Sequence, residues 1–304
     1  MLAAALVSAL SALFGQHWFS PVLGIAVLVG FALLVRRVVR AVRLAAAPMG
    51  ELIEASARVE AGELGTQVEE RGPREVRALA RAFNAMSTRL EETEASRRRL
   101  LADVSHELRT PLTVIQGNVE GILDGLYPAD RAHLERILAE THQLERLIDD
   151  LRTLSMADAG ALGLQREPTD LGALAADAVA AFEPQAATAG VSLVVEAEDD
   201  LPDLELDPLR MRQVITNLVA NAVRHTPSGG RVTVSVAADG DRHVLSVADT
   251  GPGMDADAAA HAFDRFWRTA DSPGAGLGLA IVRDLVTAHG GEVDLRTGVG
   301  QGTT

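Results

Sequence analysis

Ser105-His106-Glu107-Leu108-Arg109-Thr110-Pro111-Leu112 is the stretch from which the rest of the chain is read. Around it the apolar residues fall at Leu101, Leu108, Leu112, Ile115, Val119, Ile122 and Leu126. Beyond Leu108 the steps alternate between four and three, the seam of a coiled coil or helix bundle. His106 lies off that seam, so its imidazole is expected at the bundle surface. Glu107 beside it can hydrogen-bond one ring nitrogen and leave the other free as a nucleophile. Pro111 removes the amide that would bond the carbonyl of Glu107, which is expected to loosen or kink the helix just past the histidine. A lone histidine on a helix is most often a solvated side chain, so a larger role requires a nucleotide site elsewhere in the chain.

Downstream, Gly125-Leu126-Tyr127-Pro128 closes this helix, and Asp130 is placed to cap the next. Leu134, Ile137, Thr141, Leu144, Ile148, Leu151 and Ser155 again alternate three and four. Two antiparallel helices then share one broad apolar face that an isolated hairpin would leave wet. Two copies bury it as a four-helix bundle, so a homodimer is expected. His133 and His142 have no such neighbourhood and read as solvated.

Upstream, Val76, Leu79, Phe83, Met86 and Leu90 carry a similar stripe, and Leu52, Ala55 and Val59 carry another before a break at residues 62–73. With Pro48 and Gly50-Glu51 this resembles a HAMP linker domain; a plain dimeric coiled coil is the simpler alternative. Between Leu90 and Leu101 the seam positions are polar (Glu94, Arg97), a stutter expected to pass helix rotation on to the His106 helix. At the N-terminus two apolar runs, 1–19 and 19–37, flank Trp18 and Phe19 and suit a tight transmembrane hairpin. A signal peptide is the rival for the first run. Arg36, Arg37, Arg40 and Arg43 put the C-terminal side in the cytoplasm, and almost no chain is left outside to bind a ligand. The localisation expected is the plasma membrane, multi-pass, in contact with lipid.

All 28 basic residues are arginine and the net charge is -14, which argues against a nucleic-acid partner. The absence of cysteine excludes disulfides and thiolate metal sites.

From Gln165 the pattern is mixed. Helical stretches at 171–188, 208–224, 256–264 and 277–289 alternate with strands expected at 192–196, 231–237, 242–248 and 292–297, an α+β domain with helices covering one sheet face. Asn217 and Asn221 lie one turn apart on one helix, followed by Arg224 and His225; amide oxygens are hard ligands suited to Mg²⁺. Asp249, with Gly251 and Gly253 after it, ends a strand where a carboxylate can accept from an adenine amino group. Phe263-Asp-Arg265-Phe266-Trp267-Arg268 offers aromatic anchors and arginines that can reach phosphate. Gly274, Gly276, Leu277 and Gly278 open a helix whose free amides suit an anion. Singly each box is weak; their order and spacing behind the histidine box decide.

Together, from about residue 36 to 304, they resemble the phospho-acceptor box and the N, G1, F and G2 boxes of sensor histidine kinases, whose ATP-binding domain is related to those of gyrase, the large heat-shock chaperones and mismatch-repair MutL. The resemblance implies a multidomain protein. Transmembrane helices occupy 1–37, a HAMP linker 38–92, the dimeric four-helix-bundle phosphotransfer domain 93–160, and an α/β sandwich ATP-binding domain 161–304. It implies ATP and Mg²⁺ as cofactors, with Asn221 on the metal and Asn217 assisting. Arg224 contacts phosphate, Asp249 reads adenine, and Gly276 and Gly278 bound the ATP lid. Arg265, Arg268, Leu277 and Thr303 complete the expected nucleotide set.

By the same resemblance His106 takes the γ-phosphoryl, Glu107 orients its ring and takes its proton, and the phosphoryl passes to an aspartate on a response regulator receiver domain. Thr110 resembles the position that places water for dephosphorylating that partner. Departures are Arg224 and His225, where the family often has Lys and Tyr, and a short lid between Arg268 and Gly274. The resemblance also implies a further strand after Gly300-Gln-Gly302-Thr-Thr304, without which a 292–297 strand is expected to present an unpaired edge. A gyrase-like hydrolase would need a glutamate where Asn217 stands. A membrane-anchored dimeric ATP-binding scaffold, or pseudokinase, is the alternative from another class.

Overall fold

The computed structural model describes residues 5, 8, 9, 12, 21–198, 201–240, 242–268 and 274–304. Its contacts divide into two compact units, Met1–Leu101 and Ala102–Thr304. The expected first membrane run lies outside the described residues but for four isolated positions. Among the described residues, no helix is long and apolar enough to cross a membrane.

In the first unit α1 spans Pro21–Glu60, and α2, Arg74–Leu123, begins there. Leu52, Ala55 and Phe83 bury one another, with Val59 and Val68 packed alongside. The connector between the helices is strapped to α2 by Asn84, whose Oδ1 accepts from Val68 N and whose Nδ2 donates to Val68 O, both at 2.9 Å. Such a two-way amide bridge satisfies the backbone of a segment that belongs to neither helix. Helix α2 continues unbroken through the polar stutter and through Pro111.

In the second unit the end of α2 and α3, Arg131–Asp158, form the hairpin. Its turn is closed by the amides of Leu126 and Tyr127, which both return to Gly121 O at 2.8 and 2.9 Å, with Gly125 at φ 71°. Asp130 caps α3 as expected, accepting from His133 N at 3.1 Å. His133 is not simply solvated. Its Nδ1 meets Asp130 Oδ1 at 2.8 Å and its ring stacks on Tyr127 with centroids 5.2 Å apart. The seam divides by sevens. Leu108, Ile115 and Ile122 on α2, and Ile137, Leu144 and Leu151 on α3, are partly buried. Leu101, Leu112, Val119 and Leu126, with Leu134 and Ile148, are exposed. Half the stripe is partly covered and half faces outward.

The rest of the unit is the α/β module. Its elements are β1 Glu167–Thr169, α4 Leu171–Ala180, α5 Glu183–Ala189, β2 Ser192–Ala197, β3 Leu204–Leu206 and α6 Pro208–His225, then β4 Arg231–Asp239, β5 Arg242–Asp249, α7 Ala256–His261 and α8 Gly278–His289. Strand β2 pairs parallel to β4 and β4 antiparallel to β5, while β1 and β3 form a separate antiparallel pair. The expected helix over 171–188 is two, parted at Ala181 and Phe182, with Pro184 in the first turn of α5. Asp207 caps α6 with Pro208 at its first position, as read from the sequence.

The expected strand 292–297 is not one: residues 292–296 belong to no strand, and Thr297 makes only an isolated bridge. Nor is its end an open edge, since Arg296 and Thr304 exchange both backbone bonds at 2.8 Å and Thr303 bridges Thr297 and Asp249. One core lies between the sheet and α4 and α6, built on Leu174, Ile215, Val219, Val232 and Val234. A second joins Val214 of α6 and Ile281 and Leu285 of α8 to Leu147 and Leu154 of α3.

Candidate functional site

Helix α6 carries the amides, and the start of α8 faces them. Asn217 Nδ2 donates to Gly278 O at 3.3 Å, and a Cβ built on Gly278 would lie in ordinary contact with Asn217 and Asn221, so the two helices meet closely there. Helix α8 starts without a side-chain cap at Leu277, leaving its first amides to an incoming acceptor. Gly276, at φ 68°, is fixed there because Phe266 N donates to its carbonyl at 2.9 Å.

At the far side of the cleft β5 delivers Asp249. Its backbone is anchored by Asp249 N to Thr303 O at 2.8 Å, and Gly251 N donates to its Oδ1 at 2.8 Å. Burial pushes its carboxyl above the usual range, against the bond from Gly251. Gly253, at φ 66°, lies against the carbonyls of Gly298 and Gly302, so any side chain there would break the loop. Arg224 and His225 sit at the exposed rim. Burial of its inner side and the nearby Arg146 of α3 lower Arg224. His225 is pushed down by burial and by Arg224, so the imidazole is neutral at pH 7 and offers an uncharged ring.

One continuous depression is lined by Asn217, Asn221, Arg224, His225, Asp249 and Gly276, and also by Glu107 and Arg146 of the hairpin. The residues fit a magnesium nucleotide: a half-buried carboxylate for an amino group, glycines that let backbone approach a ring, hard amide oxygens, and an uncapped helix start. The segment 269–273, where the lid is expected, lies outside the described residues.

The depression brings most of the expected set together, Arg268 and Leu277 included, and leaves Arg265 out of its lining. Leu277 buries its side chain in the second core, 2% exposed, so only its backbone faces the cleft. Arg265 does not reach toward phosphate but forms a forked bridge to Asp158 and a bond to Asp284. Arg268 approaches Glu107, at 3.4 Å. His106 is exposed, as expected, and Thr110 Oγ1 bonds back to its carbonyl at 3.4 Å. Asp158 and Asp284 are missed by sequence reasoning, because they acquire their partner only through tertiary packing. Gly302, in the stretch read as resembling the last glycine box, lies at φ 75° against the Asp249 backbone.

The fold and the site define a class: a phospho-acceptor helical hairpin beside a nucleotide-binding sandwich. The HAMP domain family matches residues 34–92, the His Kinase A (phospho-acceptor) domain 96–160, and the histidine kinase-, DNA gyrase B-, and HSP90-like ATPase 206–304. The chain belongs to the sensor histidine kinases. It is similar to the signal transduction histidine-protein kinase BaeS of Escherichia coli (strain K12), 38% identical over 81% of this chain and 54% of BaeS. Among solved structures it is similar to the Acinetobacter baumannii histidine kinase AdeS, with TM-score 0.58, 29% identity, and 65% and 94% of the two chains covered. It is also similar to full-length ShkA in complex with AMPPNP, with TM-score 0.53, 33% identity, and 67% and 44% covered. The chain spans 54%, 30% and 53% of three curated relatives that it matches, about half their length or less.

Proposed function

We propose that this chain phosphorylates its own His106 from ATP and passes the phosphoryl group to an aspartate of a response regulator. The observation that carries the reading is that Glu107, next to the exposed imidazole, lines the same depression as Asn221, Arg224 and Asp249. Asp249 accepts from the adenine amino group, Arg224 and the uncapped start of α8 hold the phosphates, and Asn221 offers its amide oxygen to a cation. A magnesium ion there supplies charge neutralisation on the transferring group. His106 attacks the γ-phosphorus through one ring nitrogen as the bond to ADP breaks. Glu107 orients the ring through the other nitrogen and takes its proton, a role worth about 10²–10⁴ in rate. Thr110, one turn on, places water for the reverse duty of dephosphorylating the regulator.

Domain boundaries at 1–37, 38–92, 93–160 and 161–304 belong to this reading. So does a membrane hairpin at the N-terminus of a cytoplasmic kinase, supported by the two apolar runs and the HAMP match. The outward half of the hairpin stripe supports a homodimer. The test is incubation with Mg²⁺ and γ-labelled ATP. Acid-labile label on the wild type, absent from His106→Gln, is expected; label of equal strength on both refutes the assignment, and free phosphate alone marks a hydrolase.

A further inference from the structure

Helix α7 ends at His261, and two tight turns carry the chain from there to the wall of the cleft. Asp264 N donates to His261 O at 2.9 Å, and Trp267 N donates to Asp264 O at 3.3 Å. Bonds of that three-residue span bring side chains i and i+3 onto one edge. His261, Asp264 and Trp267 therefore lie in register. The imidazole Nδ1 meets Asp264 Oδ2 at 2.8 Å, and the ring is stacked with the Trp267 indole, centroids 6.3 Å apart and planes 27° from parallel.

The far end of this stack belongs to the nucleotide site. Trp267 lines the depression together with Asn221, Arg224 and Gly276. A Cβ on Gly276 would come within 2.7 Å of the Trp267 carbonyl, and the preceding amide, Phe266 N, donates to Gly276 O at 2.9 Å. Gly276 stands just ahead of the uncapped start of α8, the phosphate side of the proposed site. Phe266 keeps φ at 60°, a left-handed conformation that a bulky residue holds only where its surroundings fix it. The indole is thus tied through two residues of backbone to the amides offered to phosphate.

Charge decides how firmly the indole is held. The bond to Asp264 holds the His261 imidazole above the usual histidine range; the charges of Asp264 and of Asp257 on α7 add to it, and burial works against them. The two arginines on the same turn are engaged elsewhere, Arg265 with Asp158 and Asp284 and Arg268 with Glu107. A cation stacked on an indole is attracted by its quadrupole, and a neutral ring gives up that attraction.

We propose that His261 is a positioning residue for nucleotide binding, whose charged imidazole, gripped by Asp264, steadies Trp267 in the wall of the cleft beside Gly276. The role rests on the nucleotide reading given above and deepens it, since an imidazolium at the end of α7 then tunes affinity for phosphate. Its contribution is full below pH 6.5 and is lost as the pH rises through the higher value that the folded chain gives the ring.

The chain holds two tryptophans, so Trp18→Phe leaves Trp267 as the only one and makes the full chain its own reporter. A charged imidazole against an indole quenches its emission. In this parent the emission should be low at about pH 6 and climb to a plateau by about pH 9. The midpoint should lie above 6.5, whereas His225, pushed down, titrates on the other side of that value. His261→Gln in the same background stays bright throughout, and Asp264→Asn moves the midpoint downward. Affinity for AMPPNP with Mg²⁺ should be about two- to fivefold higher in the parent than in His261→Gln at low pH, and equal by about pH 9. Adenosine, which lacks phosphates, should show no such difference. His261→Arg keeps a planar cation that does not titrate, so it should match the parent at low pH and hold that affinity upward. Parent emission that follows His261→Gln, an affinity ratio level across the pH range, or a difference that adenosine shares overturns the proposal. So does an arginine variant that binds no tighter than the glutamine one. A parent that binds no AMPPNP at any pH overturns the nucleotide reading and the positioning role with it, while the emission curve still tells whether the stack holds.

Discussion

In the nucleotide module Ile215, Val219, Val232 and Val234 are wholly buried, whereas on the hairpin Leu112, Val119, Leu134, Leu138 and Ile148 stay 39% to 58% exposed. Both regions are rich in branched apolar residues; the difference is what covers them. A sheet with helices on one face closes its own core. Two helices can bury only one stripe between them, and a bundle seam has two sides. The partition by sevens says which side is closed inside one chain. Leu108, Ile115 and Ile122 are partly covered within one chain, while Leu112 and Val119 lie exposed on the side that the proposed second copy would cover. The nucleotide site thus sits on the self-sufficient region and the phospho-acceptor on the region proposed to take a partner.

The largest effect that can break this contrast is a charge placed on the open side. Leu112→Asp together with Val119→Asp puts four carboxylates into a proposed dimer seam, each costly to bury without a partner. Self-association, followed by analytical ultracentrifugation of the full chain, should weaken at least about 100-fold. Affinity for a fluorescent ATP analogue should not change, since the module core does not depend on the seam. Loss of nucleotide binding in step with dimerisation would erase the distinction between the two regions.

On the closed side, Asp249→Asn sharpens it. Burial holds the Asp249 carboxyl above its usual range, so the charged form costs folding energy at neutral pH. The amide oxygen of asparagine can still accept from Gly251 N, but its amino end meets adenine's amino group donor to donor. Nucleotide affinity should fall by about 100-fold, as expected for an unpaired buried donor. Thermal stability of the nucleotide-free chain should hold or rise. A destabilised variant would mean that the carboxylate serves the fold before the ligand.

The same contrast governs what could be read in the sequence. The stripes at Leu108–Ile122 and Leu134–Leu151 gave both hairpin helices, since a period of seven survives without knowledge of the partner. Asp130 and Asp207 marked helix starts because a cap acts on residues three further on. The glycines and amides of the cleft were legible because each answers to a local demand, a positive φ or an uncapped helix. The 292–297 segment misled: it alternates like a strand, but ladder pairing depends on neighbours, and only its end, Arg296 and Thr297, finds them in Thr304 and Thr303. The short β1 and β3 carry too few residues to show a period. Arg265 misled in another way. Its chemistry suits phosphate and carboxylate equally, and only the packing of α3 on α8 brings Asp158 within reach.

A smaller effect probes the boundary between the two regions. Asp150 of α3 lines the cleft near Arg146, and burial, with Asp149 adding to it, pushes its carboxyl up to about 6 despite Arg146. A raised carboxylate binds its proton more tightly in the folded chain than in the unfolded one. Its contribution to stability is full below about pH 4 and is lost as the pH rises through 6. Asp150→Asn should therefore gain about 1 kcal/mol at neutral pH, a figure reduced for partial exposure. Urea unfolding should show the gap between variant and wild type widening from pH 4 to 6 and staying level above pH 7. A gap independent of pH would place Asp150 in water rather than in the cleft.

The least effect is expected at the hairpin turn, farthest from any core. Asp130 caps α3 through His133 N and also holds the His133 ring, whose hydrogen bond keeps the carboxyl below its usual range. A depressed carboxylate contributes stability that is present above the unfolded pKa and lost as the pH falls through the folded one. Asp130→Ala should lower the hairpin's melting temperature by only about 2–4 °C at pH 7. The deficit should shrink as the pH drops below the carboxylate range, where the wild-type carboxyl becomes neutral too. Asp130→Asn keeps an oxygen for the His133 amide and gives up the charge, so it should recover part of the loss and show little pH dependence. If alanine and asparagine are equally damaging at every pH, the turn is held by Tyr127 stacking and the Gly121 carbonyl instead, and the cap is incidental.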